Sequence, residues 1–306
     1  MNDLAISHYL DVLQMDAGYQ ATAMDCEICG SAQHQVLLER IAGPDQYSVD
    51  LPVLGCLGCG HIFQKYRFSA QFYKDYYDKF YRLKLFGSSE PERNFFLDQI
   101  RRGEHLYQSL YEYLPERGRL LDVGCSAGGL MIPFAKKGWS VTGNDPDRAY
   151  VEYGKKIGLN IELTSAEEMA TPGDVDLIII NGSLEHMYDA HQVLQRCRQA
   201  SAQDGLLLIE GRALGHGLEL GVLTHNHRRY LNGTSIELLM RMHGWEPVLT
   251  TEQPLCGPTR PGAVFVLGRC MSAGTDGDGL EQTKALGRER LLGYYLERFQ
   301  ALQLQS

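Results

Sequence analysis

Residues 119–129 read Arg-Leu-Leu-Asp-Val-Gly-Cys-Ser-Ala-Gly-Gly. A short apolar strand ends in Asp122, a turn follows with glycines at Gly124, Gly128 and Gly129, and a helix is expected to open at Leu130. Glycines at such a turn let the backbone approach a ligand more closely than any side chain would permit. The spacing is GxxxGG, with an acid two residues before the first glycine. It differs from GxGxxG, whose turn seats a pyrophosphate on a helix N-terminus. An acid in that place suits a ligand that carries an ammonium group.

The pattern continues downstream. Trp139 to Asp145 reads as a second strand, ending in an acid placed for ribose hydroxyls. Asn160 to Leu163 is a third strand, leading into Ser165-Ala166-Glu167-Glu168. Asp174 to Asn181 is an almost continuous apolar run, as expected of a parallel strand covered on both faces. A helix over Ala190 to Gln199, a turn at Asp204-Gly205 and a strand over Leu206 to Glu210 complete the series. Strands alternating with helices predict an α/β, doubly wound, Rossmann-like sheet that binds ligands at the carboxyl ends of its strands. With Asp122, Gly124 and Gly128 in the form D-x-G-x-x-x-G, residues 116–268 resemble the class I S-adenosylmethionine-dependent methyltransferases. The resemblance implies a cofactor site at Asp122, Gly124, Cys125, Gly128, Asp145, Ala166, Glu167 and Asn181, with residues 165–168 beside the adenine.

The eight cysteines divide into two groups. Cys26-x-x-Cys29 and Cys56-x-x-Cys59 form two knuckles, each followed by a glycine. Four thiolates on such turns suit a structural, tetrahedral Zn²⁺. Two disulfides or a redox pair are the alternatives, and disulfides fit poorly with a chain that shows no secretion signal. Gln33 to Leu54 alternates enough for a small hairpin between the knuckles. Cys125, Cys197, Cys256 and Cys270 lack partner spacing and read as small buried residues.

These signals divide the chain into an N-terminal helix (1–25, with Leu4, His8, Val12 and Met15 on one stripe), a zinc ribbon (26–66) and a helical lid or connector (67–115). The cofactor domain spans 116–269, and a polar, glycine-rich linker from Met271 to Gly279 leads to a final helix over 280–306. On that helix Leu292, Tyr295 or Leu296, Phe299 and Leu302 form an apolar stripe, a candidate homodimer surface. The lid carries Phe72, Tyr73, Tyr76, Tyr77, Phe80, Tyr81 and Phe86. At helical spacing these read as packing. In a lid they also suit a cover for a cationic methyl donor, with Tyr76 as a catalytic candidate.

Two histidine segments bear on the reaction. Ser183-Leu-Glu-His186 follows the fourth strand, and Glu185-His186 resembles a pair widespread in the superfamily. Leu223-Thr-His-Asn-His227-Arg-Arg-Tyr230 follows the fifth. Here the chain is similar to zinc-ribbon deoxysugar C-methyltransferases, which carry Y-H-E-H-F-S-Y-F-S. His227 matches the histidine treated as general base in that group, whereas Asn226 stands for its glutamate and Thr224 for its tyrosine. The methylated atom is therefore left open. His227 is the first candidate base and His186 the second. Arg228 and Arg229 are candidate clamps for a phosphate or carboxylate, and His216, His225 and His227 are a further metal reading.

Net charge is −9 and the basic pairs are scattered, which argues against a general nucleic-acid binder. Apolar runs fall far short of the about 20 residues of a membrane span. With no basic-plus-apolar leader, a cytoplasmic location is expected. The leading expectation is a methyltransferase acting on a small molecule: a sugar, nucleotide-sugar or secondary metabolite. An RNA methyltransferase with a zinc module and a non-enzymatic cofactor-binding scaffold are the alternatives.

Overall fold

The computed structural model describes all residues except 1–8, 16–17, 43–47, 78–80, 82–89, 212–222, 260–261, 272–276 and 304–306. Leu4, His8, Phe80, Phe86 and His216 thus lie outside the described residues, as does most of the glycine-rich linker.

The first strands make the ribbon. They are β1 (Ala21–Ala23), β2 (His34–Leu38), β3 (Ile41–Ala42), β4 (Ser48–Val49), β5 (Val53–Cys56), β6 (Ile62–Gln64) and β7 (Tyr66–Phe68). β2 pairs with β5 and β5 with β6, all antiparallel, so the segment between the knuckles folds back as the alternation predicts. β1 pairs with β7, so part of the 1–25 segment is strand, and its helix covers 9–13. There Tyr9, Leu10 and Leu13 are buried, in place of the Val12 stripe.

Helices α1 (Ala70–Tyr76) and α2 (Arg93–Leu110) follow. Ser69 caps α1 by accepting from the Phe72 backbone N–H, which fixes where its aromatic face begins. The central sheet then builds from β8 (Arg119–Val123), β9 (Ser140–Asp145), β10 (Asn160–Leu163), β11 (Val175–Asn181) and β12 (Ser201–Gly211). Between them lie α3 (Ile132–Lys136), α4 (Arg148–Lys156) and α5 (Ala190–Ala200). The helix expected at Leu130 begins as a 3-10 turn over Gly129–Met131 before α3. The expected turn at Asp204-Gly205 is a bulge inside β12, with Asp204 at φ +60°.

β13 (Arg229–Tyr230), α6 (Gly233–Met242), β14 (Trp245–Thr251) and β15 (Val264–Cys270) follow, and their strands complete the seven-stranded and four-stranded sheets. The seven-stranded order is β10-β9-β8-β11-β12-β15-β14. β8 to β12 run parallel, and β15 lies antiparallel between β12 and β14. The order reverses between β8 and β11, where a parallel α/β sheet opens its ligand crevice. β11 presents Leu177, Ile178, Ile179 and Ile180 fully buried, because helices cover both faces. β13 belongs to the other sheet, whose order is β13-β6-β5-β2. The segment after the fifth parallel strand therefore supplies an edge strand of the ribbon.

α7 (Gly277–Arg290), a π turn over Leu291–Tyr295 and α8 (Leu296–Gln303) close the chain. The extra residue of the π turn rotates the apolar stripe. Leu291, Tyr295 and Phe299 are buried, whereas Leu292 is 55% exposed, so the expected stripe through Leu292 is corrected. This face packs on the ribbon of its own chain: a Cβ at Gly55 would meet Leu291 at 2.6 Å. Among the described residues no helix is long and apolar enough to cross a membrane.

Candidate active site

The crevice begins at the end of β8. Asp122 is buried and aligned with Gly143 of β9 and Ile179 of β11. Burial, and then the neighbouring charge of Asp145, push its carboxyl up to about 7, with Arg102 opposing in part. Asp145 spans the crevice with both oxygens, accepting from the Ser126 N–H at 2.7 Å and the Asp147 N–H at 2.9 Å. Gly124 adopts φ +74°, and a Cβ there would stand 2.8 Å from Ser183 Cβ, so this glycine lets two crevice loops touch. Gly128 faces inward, where a Cβ would meet Met131, Leu159 and Ile161.

Other expected cofactor residues are placed less directly. The Cys125 side chain turns into the core, within 2.6 Å of where a Cβ on Gly143 would sit. Its side chain is buried, as its reading as a small buried residue expects, and its place in the turn is by position. Ala166 is buried beyond β10. The Glu167 carboxylate accepts from the Tyr188 and Asp189 N–H groups at 2.7 and 3.1 Å, so it pins a loop. Asn181, at the end of β11, donates to the Cys256 sulfur at 3.4 Å.

Two observations bear on whether a cation-bearing cofactor fits. Asp122 and Asp145 place two acids at the switch point, and one of them is driven toward its neutral form. The buried Ser126 Oγ and Gln99 Oε1 beside the glycine turn have no hydrogen-bond partner among the described residues. Such atoms are ordinarily satisfied by solvent or ligand. A ligand with an ammonium group and several polar atoms fits this donor set.

The histidines lie on the segments that follow β11 and β12. His186 lies on the turn after β11, and its ring centroid is 4.6 Å from that of His227. Its Nδ1 is 2.8 Å from the Tyr77 hydroxyl and 3.3 Å from the Asn226 carbonyl oxygen. A carbonyl only accepts, so the Nδ1–H tautomer satisfies both neighbours and leaves the basic lone pair on Nε2. His225 is different. Its Nδ1 is 2.8 Å from the Tyr9 hydroxyl and its Nε2 3.4 Å from the Tyr76 hydroxyl. Burial, and secondarily the charge of His227, bring His225 down to about 3, so it stays neutral. With both ring nitrogens engaged by phenols it is placed as a buried spacer, and the metal reading of His225 is not supported. Tyr76 is itself buried, and burial raises its hydroxyl above the ordinary phenol range.

The two arginines do not act as a pair. Arg229 is fully buried and donates through Nε and Nη2 to Glu27 at 2.7 and 2.8 Å. Its Nη1 donates to the Leu184 and Met187 carbonyls at 2.5 and 2.8 Å. The expectation that Arg229 clamps substrate is corrected: its fork is filled by the protein. Arg228 stacks 3.9 Å over the Tyr73 ring and donates to Met187 O, and its Nη1 has no hydrogen-bond partner among the described residues. Glu27 was not singled out from the sequence, and Tyr77 and Ser183 were named only within their segments. An acid inside a cysteine knuckle was the one available signal for Glu27.

The four knuckle sulfurs all lie within 4.8 Å of one another, with Cys26–Cys59 at 3.6 Å and Cys29–Cys56 at 3.4 Å. A tetrahedral ion with metal–sulfur bonds of about 2.3 Å would set its ligands roughly 3.8 Å apart. The cluster therefore fits a metal. All eight cysteines are free.

A family model described as a methyltransferase domain matches residues 96–250, just over half the chain. A ubiquinone biosynthesis O-methyltransferase of Saccharophagus degradans is 29% identical over 173 residues, 48% of this chain and 71% of that protein. One from a Bradyrhizobium species is 30% identical over 97 residues, 30% of this chain and 38% of that protein. The chain thus spans well under half the length of the second relative. Among solved structures, a 1,6-didemethyltoxoflavin N1-methyltransferase of Burkholderia thailandensis, bound to 1,6-didemethyltoxoflavin and S-adenosylhomocysteine, is 19% identical. It covers 59% of this chain and 82% of its own, with a TM-score of 0.47. An S-adenosylmethionine-dependent methyltransferase of Mesorhizobium loti, 17% identical, covers 55% of this chain and 99% of its own at a TM-score of 0.44. By its matched domain, carried on this doubly wound sheet, the chain belongs to the methyltransferase-domain family.

Proposed function

We propose that this enzyme methylates a small molecule, of the sugar, nucleotide-sugar or secondary-metabolite class, with a histidine pair taking the acceptor's proton. The observation that carries this reading is the tilted ring contact of His186 and His227, 4.6 Å between centroids on the segments that follow β11 and β12, with the Tyr77 hydroxyl 2.8 Å from His186. S-adenosylmethionine, when bound, supplies an electrophilic methyl group. Asp122 and the turn at Gly124 and Gly128 would hold its amino-acid end, Asp145 its ribose hydroxyls, and the stretch at Ala166 its adenine.

The chain's own work is alignment and proton transfer. Alignment of an acceptor against a fixed methyl group contributes about 7 kcal/mol or more. His227 is the proposed base. His186, held by Tyr77 and the Asn226 carbonyl, offers Nε2 either to the acceptor or to His227. Tyr76 shapes the wall through His225. A structural Zn²⁺ at Cys26, Cys29, Cys56 and Cys59 is part of the same proposal, and metal analysis should find about one equivalent per chain.

The test is incubation with isotopically labelled methyl donor and sugar-nucleotide and metabolite pools, read by mass spectrometry. His227→Ala should lower turnover by ~10²-fold or more with cofactor affinity nearly unchanged. Loss of turnover in His186→Ala with full activity in His227→Ala would exchange the two roles. Transfer to RNA but to no small molecule would overturn the substrate class.

A further inference from the structure

His186 sits on a turn with no regular secondary structure, so its position depends on what holds residues 184–187. Three of the four carbonyls in that turn are held by two arginines. Leu184 O and Met187 O accept from Arg229 Nη1, Met187 O also accepts from Arg228 Nε, and Glu185 O accepts from the Arg228 N–H. The other edge of the Arg229 fork is bidentate on Glu27, the residue that follows the first cysteine of the ribbon. Arg229 also lies on β13, which pairs with β6 of the ribbon.

We propose that Glu27 and Arg229 are a positioning pair, by which the cysteine ribbon fixes the place and tautomer of His186 in the active-site crevice. The inference rests on the reading that His186 works at the methyl acceptor. Geometry supports it over mere cohesion. A buried ion pair is weak evidence for stability, because apolar residues of similar volume often hold a core as well. What they cannot copy is a planar fork that reaches a carboxylate on one side and two carbonyls on the other. The Glu27 carboxylate is braced in turn by Arg67 at 2.8 Å and His61 at 3.4 Å, and its own carbonyl accepts from His191 at 2.7 Å. The anchor is thus fixed from several sides while, among the described residues, its one link to the turn is Arg229. The ribbon, on this reading, is part of the catalytic apparatus through a single guanidinium.

The experiment uses the full chain with ¹⁵N-labelled histidine, and long-range proton–nitrogen NMR to read the His186 ring, assigned with His186→Gln. In the wild type, His186 should show one tautomer, protonated at Nδ1. Arg229→Lys and Glu27→Gln should replace it with the averaged pattern of a loosely held ring, and Glu27→Asp, which keeps the charge, should fall between. Arg67→Ala should match the wild type, since Arg67 touches Glu27 and donates to none of the 184–187 carbonyls. Affinity for S-adenosylhomocysteine, measured by calorimetry, should stay within about threefold throughout.

An unchanged His186 pattern in Arg229→Lys and Glu27→Gln would overturn the proposal. So would a parallel loss of S-adenosylhomocysteine affinity, which marks general loosening. If Arg229→Lys does not fold, Glu27→Asp decides alone, and a wild-type pattern there counts against the pair. If the coupling holds while His186→Gln keeps full methyl transfer, the pair stands and the role given to His186 falls.

Discussion

Two carboxylates with enclosed side chains in this molecule are driven in opposite directions. Asp122 is 2% exposed, and burial followed by the charge of Asp145 raises its carboxyl to about 7. The Glu27 side chain is 8% exposed, and burial alone would raise it too. The charge and hydrogen bonds of Arg229, with His61 and Arg67, overturn that effect and hold Glu27 well below the ordinary carboxylate range. Glu27 has its countercharge built into the chain, 202 residues away in sequence. Among the described residues Asp122 has only the partial help of Arg102, and it stands at the carboxyl end of β8. A cationic ligand would do for Asp122 what Arg229 does for Glu27, so the contrast separates an acid that serves structure from one that serves binding.

The largest effect should come from breaking the satisfied pair. Arg229→Met leaves a buried carboxylate without its main partner and should lower unfolding stability by about 3–5 kcal/mol in urea titrations. The double variant Glu27→Leu/Arg229→Met should recover part of that loss. Because the folded pKa of Glu27 is depressed, the pair's contribution is present above its unfolded value of about 4.3 and fades as pH falls through the folded one. A loss below about 1 kcal/mol would mean that Arg67 and His61 carry the charge, and the contrast would blur.

On the other side of the comparison, Gly124→Val combines a left-handed backbone with a collision against Ser183. Strain and overpacking should each cost about 1–3 kcal/mol. Affinity for S-adenosylhomocysteine should fall more than ~10-fold in calorimetry, because the turn and the Ser183 loop move apart. Wild-type affinity in this variant would show that the crevice does not depend on that contact.

Asp122→Asn should act oppositely to the ion-pair variant. Between pH of about 4 and about 7 the unfolded chain has released the Asp122 proton while the folded one retains it, so wild-type stability falls as pH rises through that window. The ligand-free variant lacks this penalty. It should be more stable than wild type above pH 7, by about 4 kcal/mol, with the gap closing below pH ~4. Equal stability at all pH values would place a countercharge at Asp122 already.

The doubly wound sheet was legible because strands alternate with helices, because β8 and β11 are apolar runs that only a twice-covered sheet can bury, and because Asp122 and Asp145 stand at the carboxyl ends of their strands. The paired knuckles were legible for a similar reason, since cysteine spacing is local. What escaped depended on long-range or rotational detail. Arg229 looked like a substrate clamp because nothing in the sequence shows that Glu27 fills its fork. The direction of the Cys125 side chain, which packs toward Gly143, was not legible from its place in the turn. The C-terminal stripe was shifted by a π turn that has no sequence signature at Leu291 to Tyr295. His225 and His227 are two residues apart and look equivalent as text, yet two phenols, one from the helical segment at 9–13 and one from α1, hold His225.

The contrast between the two acids is tested most directly by calorimetric titration of S-adenosylhomocysteine, which keeps the ammonium group, in two buffers of different ionisation enthalpy near pH 7. A cation beside Asp122 lowers its pKa, so binding should release part of a proton in the wild type and none in Asp122→Asn. Binding with no proton exchange in the wild type, or no binding at all beside clear binding of a nicotinamide dinucleotide, would contradict the assignment of Asp122 to the cation of the methyl donor.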